Sequence, residues 1–240
     1  LVTRRLPGYT GAAPMDIQVL GALKSGLCGV ENLNNRLQDA LNPRVYGKNE
    51  INVGSHLFRV GDKVMQTANN YELPFVKFGE GAPEQGQGIF NGDIGHIKTI
   101  DRNNGIVEVW YDDNRLATYG EAELTDLTAA YAITIHKSQG SEFDVVVIPL
   151  VSGPPTLINR NLLYTAITRA KRAVVLVGSK KILAMMVHNN YIAARTTNLC
   201  RFLQSEKVKY LRYFAEGAEA ESTDGYPEQM PDDIPADEEF

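Results

Sequence analysis

The apolar residues of this chain follow two patterns, and the first occurs towards both ends. It consists of short continuous apolar runs, which are typical of strands buried on both faces: "DIQVLGAL" (16–23), "EFDVVVIPL" (142–150) and "AVVLVGS" (173–179). Three other segments are predicted to be helices, because their apolar residues lie three and four positions apart or begin such a pattern. They are "GVENLNNRLQDALNP" (29–43), "NRNLLYTAITRAKR" (159–172) and "KKILAMMVHNN" (180–190). Because strands alternate with helices, we expect an α/β fold with a parallel sheet and helices on its faces.

The second pattern occupies the middle of the chain. The stretches "GIFNGDIGHIKTID", "GIVEVWYDD" and "RLATYGEAEL" alternate polar and apolar residues and are separated by Asn-Gly, Asn-Asn-Gly and Asp-Asp-Asn turns. This pattern predicts a small antiparallel, barrel-like insert over about residues 88–127. The segment before it, residues 72–88, is rich in Gly, Pro and Gln and is predicted to be a loop. The parallel-sheet domain is therefore expected to comprise residues 1–71 and 128–213.

The net charge of −5 is distributed unevenly between the two ends of the chain. Residues 214–240 contain ten Asp or Glu and no Lys or Arg, which leaves 24 basic and 19 acidic residues in the rest of the chain. The acidic segment is predicted to be a disordered tail, either without a specific role or as an electrostatic mimic that competes with DNA. The remaining body is positively charged, so a nucleic-acid partner stays open.

Several classes of protein are disfavoured by what the sequence lacks. No apolar run approaches the roughly 18 residues of a membrane span, and the first residues do not resemble a signal peptide. Two cysteines, Cys28 and Cys200, without a CxxC or a Cys/His cluster, support neither a disulfide framework nor a metal site. We expect a cytoplasmic protein without a membrane partner and without a metal site of its own.

A dense group of hydrogen-bonding residues precedes the buried run of residues 145–150. It lies within "ITIHKSQGSEFDVVVIPL" (133–150), where a loop leads into a parallel strand at an edge of the predicted sheet. Lys137 adds a positive charge to this loop. Four side chains could donate hydrogen bonds to phosphate oxygens without reading a sequence: Thr134, His136, Ser138 and Gln139.

A second basic cluster lies in "TAITRAKR" (165–172), on or just after a predicted helix. It contains Arg169, Lys171 and Arg172. An arginine beside a nucleotide can stabilise the charge that develops on a transferred phosphoryl group. The alternative is a solvated basic face, and the spacing alone favours that alternative.

These two clusters resemble known motifs. "AYAITIHKSQGSEFD" (130–144) and "LLYTAITRAKRAVVLVG" (162–178) resemble motifs V and VI of superfamily-1 helicases. The version with Ser-Gln-Gly-Ser-Glu-Phe-Asp resembles the RecD/TraA group, which includes exodeoxyribonuclease V alpha subunits. Residues 16–43 resemble that group's motif IV region, and "GDKVMQTANNY" followed by "GIFNGDIG" resembles its lead into an SH3-like insert. The resemblance covers about residues 16–203 in four ordered motifs.

The resemblance implies a RecA-like (P-loop NTPase-like) parallel sheet with helices on both faces, interrupted by an SH3-like β-barrel. It further implies a DNA helicase that moves 5′ to 3′ on single strands with ATP and Mg²⁺. The chain contains neither GxxxxGK[ST] nor an Asp-Glu box after a strand. We therefore expect a C-terminal fragment that does not hydrolyse ATP alone, because an N-terminal RecA-like domain of the parent binds most of the nucleotide and the metal.

The resemblance also gives roles to single residues. Thr134, His136, Ser138 and Gln139 would contact the backbone of the DNA strand. Gly140 and Glu142 would lie towards the nucleotide, with Glu142 near the ribose, and Arg169 would reach the γ-phosphate. Lys24, in the motif IV region, would contact a phosphate of the nucleotide, although the group usually has Pro-Met followed by basic residues there. Asp144 is expected to be structural.

Other polar and aromatic residues are weaker candidates. Asn70 is expected to contact the strand, together with Gln66 and Asn69, although Asn-Asn is also typical of a turn. Trp110 and Tyr111 could be platforms for bases. Because one of two adjacent strand residues usually faces the core, we assign neither of them to the site.

A different class of function stays open at this point. The same loop in a non-catalytic module would hold nucleic acid or protein passively, and an upstream GxxxxGK[ST] in the parent sequence would distinguish the two. The motifs do not distinguish a stand-alone helicase from a subunit of a nuclease-helicase complex or from a conjugative relaxase-helicase. They also do not distinguish repair or recombination from conjugation, or DNA from RNA.

Overall fold

The computed structural model describes residues 1–54, 56–191, 201–205, 207 and 209. The chain divides into one compact unit, Leu1–Ile192, and a second one, Ala193–Phe240, whose described residues are helical. The predicted acidic tail, residues 214–240, lies outside the described residues. None of the helices in the described part of the chain has the length and apolar content to cross a membrane.

The first unit contains four helices and thirteen strands among its described residues, and the strands within residues 50–150 follow one another without an α-helix between them. Its helices are α1 (Arg5–Thr10), α2 (Val30–Leu41), α3 (Arg160–Ile167) and α4 (Lys180–His188). Its strands are β1 (Ile17–Gly21), β2 (Glu50–Val53), β3 (His56–Arg59), β4 (Lys63–Gln66), β5 (Asn70–Lys77), β6 (Glu84–Ile89), β7 (Ile94–Asp101), β8 (Ile106–Tyr111), β9 (Arg115–Tyr119), β10 (Leu127–Ala129), β11 (Ala132–Thr134), β12 (Phe143–Leu150) and β13 (Ala170–Gly178). The segments Pro14–Asp16, Glu123–Asp126 and His136–Ser138 are 3-10 turns.

Four strands form a parallel sheet in the order β11-β1-β12-β13. Val145 and Val147 of β12 pack on one face in a core that includes apolar residues of α2. Val146 and Ile148 pack on the other face with residues of α3 and α4. Both faces of β12 are therefore covered, which explains its continuous apolar run. The predicted α/β class, with a parallel sheet and helices on both faces, is confirmed.

The helices α2 and α4 lie where their sequences predict, whereas α3 ends at Ile167 and the last residues of the helix predicted over 159–172 belong to β13. The apolar residues of α2 recur three and four positions apart and pack against the sheet, and Asn42-Pro43 follows its end. At the start of α3, the side-chain oxygen of Asn159 accepts a hydrogen bond from the backbone N–H of Leu162 at 2.9 Å. This cap fixes the entry of α3 and places its apolar side over the sheet.

A seven-stranded antiparallel sheet in the order β10-β4-β7-β8-β9-β5-β6 forms the insert. Strand β8 alternates buried residues with more exposed ones, β4 is buried throughout, and the buried side chains of the sheet form a core of their own. The strands β2 and β3 make a separate antiparallel hairpin. The predicted antiparallel insert is thus present, between α2 and β11.

The limits of the insert differ from the sequence prediction. The antiparallel sheet begins at Lys63 and ends at Ala129, rather than extending over about residues 88–127. Residues 72–88, predicted to be a loop, lie mostly in the hairpin of β5 and β6. Pro74 is tolerated there because it lies where the pairing register shifts, and only residues 78–83 form the connection. Residues 63–71, predicted to belong to the parallel-sheet domain, belong to the insert or its first turn.

A buried carboxylate joins the parallel-sheet domain to the insert. Asp62 is fully buried and accepts hydrogen bonds from the side chains of Gln38, Asn42 and Tyr131 at 2.5, 2.6 and 2.8 Å and from the backbone N–H of Arg59 at 2.7 Å. A buried carboxylate is tolerated when donors satisfy it in this way. The two entry points of the insert are therefore held together at one side chain.

Candidate nucleotide and nucleic-acid site

The loop that resembles motif V, residues 135–142, connects opposite ends of the parallel sheet. It leaves β11 at Thr134, which is paired with Gly21 at the carboxyl end of β1. It enters β12 at Phe143. Two residues further along β12, Val145 is paired with Ile17 at the amino end of β1. One short segment therefore carries residues from the carboxyl end of the sheet to its amino end.

The shape of this motif V loop depends on two of its residues. Ser138 is fully buried in a 3-10 turn and donates its hydroxyl to the backbone oxygen of Ile135 at 2.7 Å. Gly140 has a φ of +88°, a conformation that other residues adopt only with strain. The Ser138 hydroxyl is thus already bonded and is not offered to a ligand, in contrast to the expectation of a DNA contact. Ser138 positions the loop instead.

A groove of about 500 Å³ lies at the carboxyl end of the sheet, between α2 and the insert. Thr134, Lys24 and Lys137 line it, and the Lys24 ammonium forms an exposed ion pair with Glu31 at 3.8 Å. Lys24 therefore lies with Thr134 rather than beside Arg169 and Glu142, in contrast to the expectation of a nucleotide contact. Partial burial and, to a smaller extent, the Lys24 ammonium lower the pKa of Lys137. Two ammonium groups therefore face one open groove, an arrangement suited to phosphate groups.

His136 and Gln139 do not share the groove of Thr134. Both are exposed and line a smaller cavity of about 210 Å³. Thr156, Asn159 and Thr165, on α3 and the loop before it, line the same cavity. The side chains predicted to contact DNA are therefore distributed over two hollows, with Lys137 in one and His136 in the other.

Arg169 lies at the amino end of the sheet, directly before β13. Its Nη1 donates to the backbone oxygen of Ser141 at 3.2 Å, and its Nε donates to that of Thr165 at 3.3 Å. Its own backbone oxygen accepts a hydrogen bond from Phe143 N at 2.8 Å. Within the part of the chain that the structure describes, no carboxylate lies within ion-pair distance of its guanidinium. The structure thus holds an unneutralised cation against the motif V loop.

Two exposed ion pairs flank Arg169. Glu142 and Lys171 are 3.7 Å apart, and Asp144 and Arg172 are 3.4 Å apart. Arg172 also donates to the backbone oxygen of Thr10. Asp144 is thus engaged by Arg172, whose other contact is on the first helix, and its structural role stays a prediction. Glu142 is accessible at the amino end, because an exposed pair of this kind contributes little stability and is readily exchanged.

Asn70 and Gln66 have structural contacts within the insert. The side-chain oxygen of Asn70 accepts hydrogen bonds from the backbone N–H groups of Glu72 and Leu73 at 3.1 and 3.0 Å, which is turn chemistry. Gln66 is fully buried and accepts a hydrogen bond from the Tyr119 hydroxyl at 2.8 Å. Gln66 is therefore not available to a strand, whereas Asn70 is partly exposed at the surface.

The adjacent aromatic residues of β8 face opposite sides, as expected for neighbours in a strand. Tyr111 is buried, and burial is the main cause that raises its pKa above the usual range for tyrosine. Trp110 is half-buried on the outside, where it stacks on Phe78 with ring centroids 5.3 Å apart. The Lys98 ammonium lies 4.9 Å from the centre of the Trp110 ring. Trp110 therefore already has aromatic and cationic neighbours.

The groups that fit a nucleotide lie at the amino end of the sheet. The Arg169 guanidinium fits phosphate oxygens, the Glu142 carboxylate fits a ribose hydroxyl, and the backbone at Gly140 is accessible. Among the described residues, no group of three or more His, Cys, Asp or Glu side chains is arranged to hold a metal ion. The chain thus supplies a cation and a carboxylate towards such a ligand.

Two of the chain's segments match family models. Residues 33–111 match the SH3 domain of ATP-dependent RecD-like DNA helicases, and residues 129–177 match the UvrD-like helicase C-terminal domain. The fold and these matches define the class: a parallel-sheet domain of the UvrD-like helicase C-terminal type that carries a RecD-like SH3 insert. The resemblance to the C-terminal part of RecD/TraA-type helicases is thereby confirmed, because the chain carries these two domains in the order of its motifs.

Curated relatives agree with this assignment. The ATP-dependent RecD2 DNA helicase of Deinococcus radiodurans is 33% identical over 171 residues, which are 71% of this chain and 20% of that protein. The RecBCD enzyme subunit RecD of Mycolicibacterium smegmatis is 33% identical over 191 residues, 80% of this chain and 30% of that protein. The chain therefore spans between a fifth and a third of the length of these relatives.

Solved structures of Pif1 helicases are also similar. The crystal structure of the Candida albicans Pif1 helicase superposes with a TM-score of 0.45 and 16% identity, over 87% of this chain and 52% of that one.

One wall of the groove was not predicted from the sequence. His56, Thr67 and Thr128 line it from the insert and its neighbouring strands. These residues lie in or beside strands whose role in the insert was missed, so no motif singled them out. The sequence signal that could have indicated this wall of the groove is Thr67, a hydroxyl residue directly after the end of a strand.

Proposed function

We propose that this chain is the second RecA-like motor domain, with its SH3-like insert, of an ATP-dependent DNA helicase that moves 5′ to 3′ on single-stranded DNA. The observation that carries the proposal is the motif V loop, which joins the lysine-lined groove at the carboxyl end of the sheet to Arg169 at its amino end. The first RecA-like domain, which binds most of the ATP and the Mg²⁺, is part of the same parent protein.

In this proposal, the single strand of DNA binds at the carboxyl end of the parallel sheet. The ammonium groups of Lys24 and Lys137 attract the phosphate backbone, and Thr134 adds a hydroxyl at the same groove. Contacts of this type position a strand without reading its sequence, which suits a protein that must move along any sequence. His136 and Gln139 supply a second set of contacts beside α3.

The amino end of the sheet acts on the nucleotide. Hydrolysis of ATP with Mg²⁺ supplies the free energy for movement. Arg169 is held by two backbone oxygens, so its guanidinium is positioned before the reaction and stabilises negative charge that develops on the γ-phosphoryl group. Because one of these oxygens belongs to Ser141, a displacement of Arg169 also displaces the motif V loop.

The relatives suggest the setting of this activity. Their names describe a DNA helicase and a subunit of the RecBCD enzyme. We therefore propose a cytoplasmic role in DNA repair or recombination, or in conjugation. The parent acts alone or together with other subunits of a nuclease-helicase complex.

The test uses the full-length parent and two duplexes, one with a 5′ single-stranded tail and one with a 3′ tail. We expect ATP-dependent unwinding of the 5′-tailed duplex only. The 240-residue chain alone is expected to hydrolyse no ATP above background. A parent that binds single strands without any ATP turnover would instead support the passive binding module. Steady ATP turnover by the purified chain would contradict the proposal that it carries only part of the ATP site.

A further inference from the structure

Two aromatic side chains of the insert lie exposed beside each other. Tyr71 has 68% of its surface accessible and Phe90 has 42%. Their ring centroids are 5.6 Å apart in an edge-to-face arrangement with an interplanar angle of 72°. Exposed aromatic rings forfeit the stabilisation that burial would give, so an adjacent pair of them indicates a ligand.

The backbone fixes both rings in this position. Phe90 lies between Gly88 and Gly92, which have φ values of +111° and +98°, and the preceding Ile89 is fully buried. A Cβ atom on Gly88 would come within 3.1 Å of the Phe90 ring, so the glycine leaves room for that ring. The Asn91 backbone N–H donates to the side-chain oxygen of Asn69 at 2.9 Å and ties this turn to that of Tyr71.

The aromatic pair lies close to the lysine-lined groove along the chain. Thr67 lines that groove, and Tyr71 follows four residues later. Four residues of extended chain span at most about 14 Å. A polymer that follows the groove from Lys24 and Lys137 as far as Thr67 can therefore reach Tyr71 within a few of its repeats.

We propose that Tyr71 and Phe90 form a platform on which unpaired bases of a single-stranded nucleic acid stack as the strand leaves the groove. This inference rests on the proposed function, because it takes the groove as the site of the phosphate backbone. The flat π-face of every base fits an aromatic ring regardless of sequence. The surrounding Asn69, Asn70 and Asn91 favour a ligand with polar edges over an apolar protein surface.

The experiment measures the affinity of the full-length parent for a single-stranded DNA oligomer and for the RNA of the same sequence. Tyr71→Ala and Phe90→Ala are each expected to weaken binding roughly 5- to 150-fold, because a stacked base is worth about 1–3 kcal/mol and each 1.4 kcal/mol is tenfold. Tyr71→Phe is expected to bind like the parent. The matched control is Tyr46→Ala, since Tyr46 is also an exposed tyrosine but has no described aromatic neighbour.

Two further measurements distinguish base stacking from a phosphate contact and from simple apolar burial. Removal of the bases from the oligomer is expected to abolish the difference between the parent and Tyr71→Ala. The dependence of affinity on salt is expected to stay unchanged in that variant, because no phosphate contact is lost. Full affinity of Tyr71→Leu would overturn the platform in favour of a merely apolar contact, and full affinity of both alanine variants would overturn it outright. A parent that binds neither oligomer would instead refute the proposed function.

Discussion

The two ends of the parallel sheet carry positive charge in different ways, although a single short loop joins them. At the carboxyl end, Lys24 and Lys137 extend long flexible side chains into an open groove. At the amino end, two backbone oxygens hold the half-buried Arg169 in place. In the proposed function, flexible ammonium groups suit a phosphate backbone that slides, whereas a fixed guanidinium suits one charge that develops at one position. We therefore propose that the two ends differ in role, one binding a polymer and the other assisting the reaction.

The strongest test of this contrast is Arg169→Ala in the full-length parent. We expect ATP turnover to fall by about 10³–10⁵, the range typical of arginine fingers, while single-strand affinity stays nearly unchanged. Arg160→Ala is the matched control, because Arg160 is an exposed arginine at the start of the same α3 segment. Turnover and strand affinity are measured on the same folded preparations, and turnover of Arg169→Ala at the parent rate would show that the assignment is wrong.

A second variant separates buried polar groups from functional ones. Asp62→Ala leaves four buried donors without their acceptor, and we expect a loss of about 3–5 kcal/mol in the free energy of unfolding. Asp39→Ala is the control, since the Asp39 carboxylate is exposed and the buried Arg59 guanidinium keeps its ion pair with Glu50, so the loss should be less than about 1 kcal/mol. Denaturant unfolding of the 240-residue chain measures both. Equal losses in the two variants would contradict the role given to Asp62.

A buried lysine provides a contrast with the two lysines of the groove. Burial lowers the pKa of Lys63 from 10.5 to about 8. The unfolded chain therefore binds more protons than the folded one between these values, so stability should rise as the pH increases through that window, by at most roughly 3 kcal/mol.

This contribution should disappear in Lys63→Met. Unfolding free energies of the two proteins between pH 7 and 10 give the comparison. Subtracting one profile from the other removes the titration of tyrosines and other lysines. A difference that does not depend on pH would show that Lys63 titrates normally.

The smallest expected effects concern the side chains proposed to contact the DNA strand. Gln139→Ala or His136→Ala removes one hydrogen bond worth about 1 kcal/mol, so affinity and DNA-stimulated ATP hydrolysis should weaken together, roughly fivefold. Basal nucleotide binding should persist. Lys137→Ala should in addition lower the salt dependence of binding by about 0.7 in the logarithmic slope. Gln87→Ala, an exposed glutamine of the insert, serves as the control, and a loss of basal turnover in Gln139→Ala would contradict the separation of the two ends.

The sequence predicted the parallel sheet well because its strands carry unusually clear signals. The run 145–150 has few polar residues, and both α2 and α3 show helical spacing next to recognisable ends. The limits of the insert were less predictable. Pro74 and the glycines of β6 indicate a loop when they are considered locally, yet pairing with β9 and a register shift accommodate them in strands. Such pairings join distant segments and leave no local pattern.

The roles of the candidate site residues stay predictions, although the structure shows where these residues lie. Arg169 contacts the motif V loop, whereas the side chains predicted to contact DNA are distributed over two hollows. The sequence did not indicate that Ser138 would be buried against its own backbone, because a 3-10 turn depends on the path of the loop across the sheet. It also did not indicate that Tyr71 would be exposed, since an aromatic residue at the start of a strand is more often buried.

The position of β1 between β11 and β12 has a consequence for how the protein folds. Val19 pairs with Ala132 and Val147, so β1 can pair with its neighbours only after residues more than a hundred positions later have been synthesised. The central hairpins of the insert, by contrast, pair strands that follow each other directly and close quickly. Once the insert has formed, Asp62 brings Asn42 and Tyr131 together and shortens the loop that separates β1 from β11. We therefore expect the insert to fold first during synthesis. The folded insert then holds the two segments of the parallel-sheet domain close together, so that this domain can assemble.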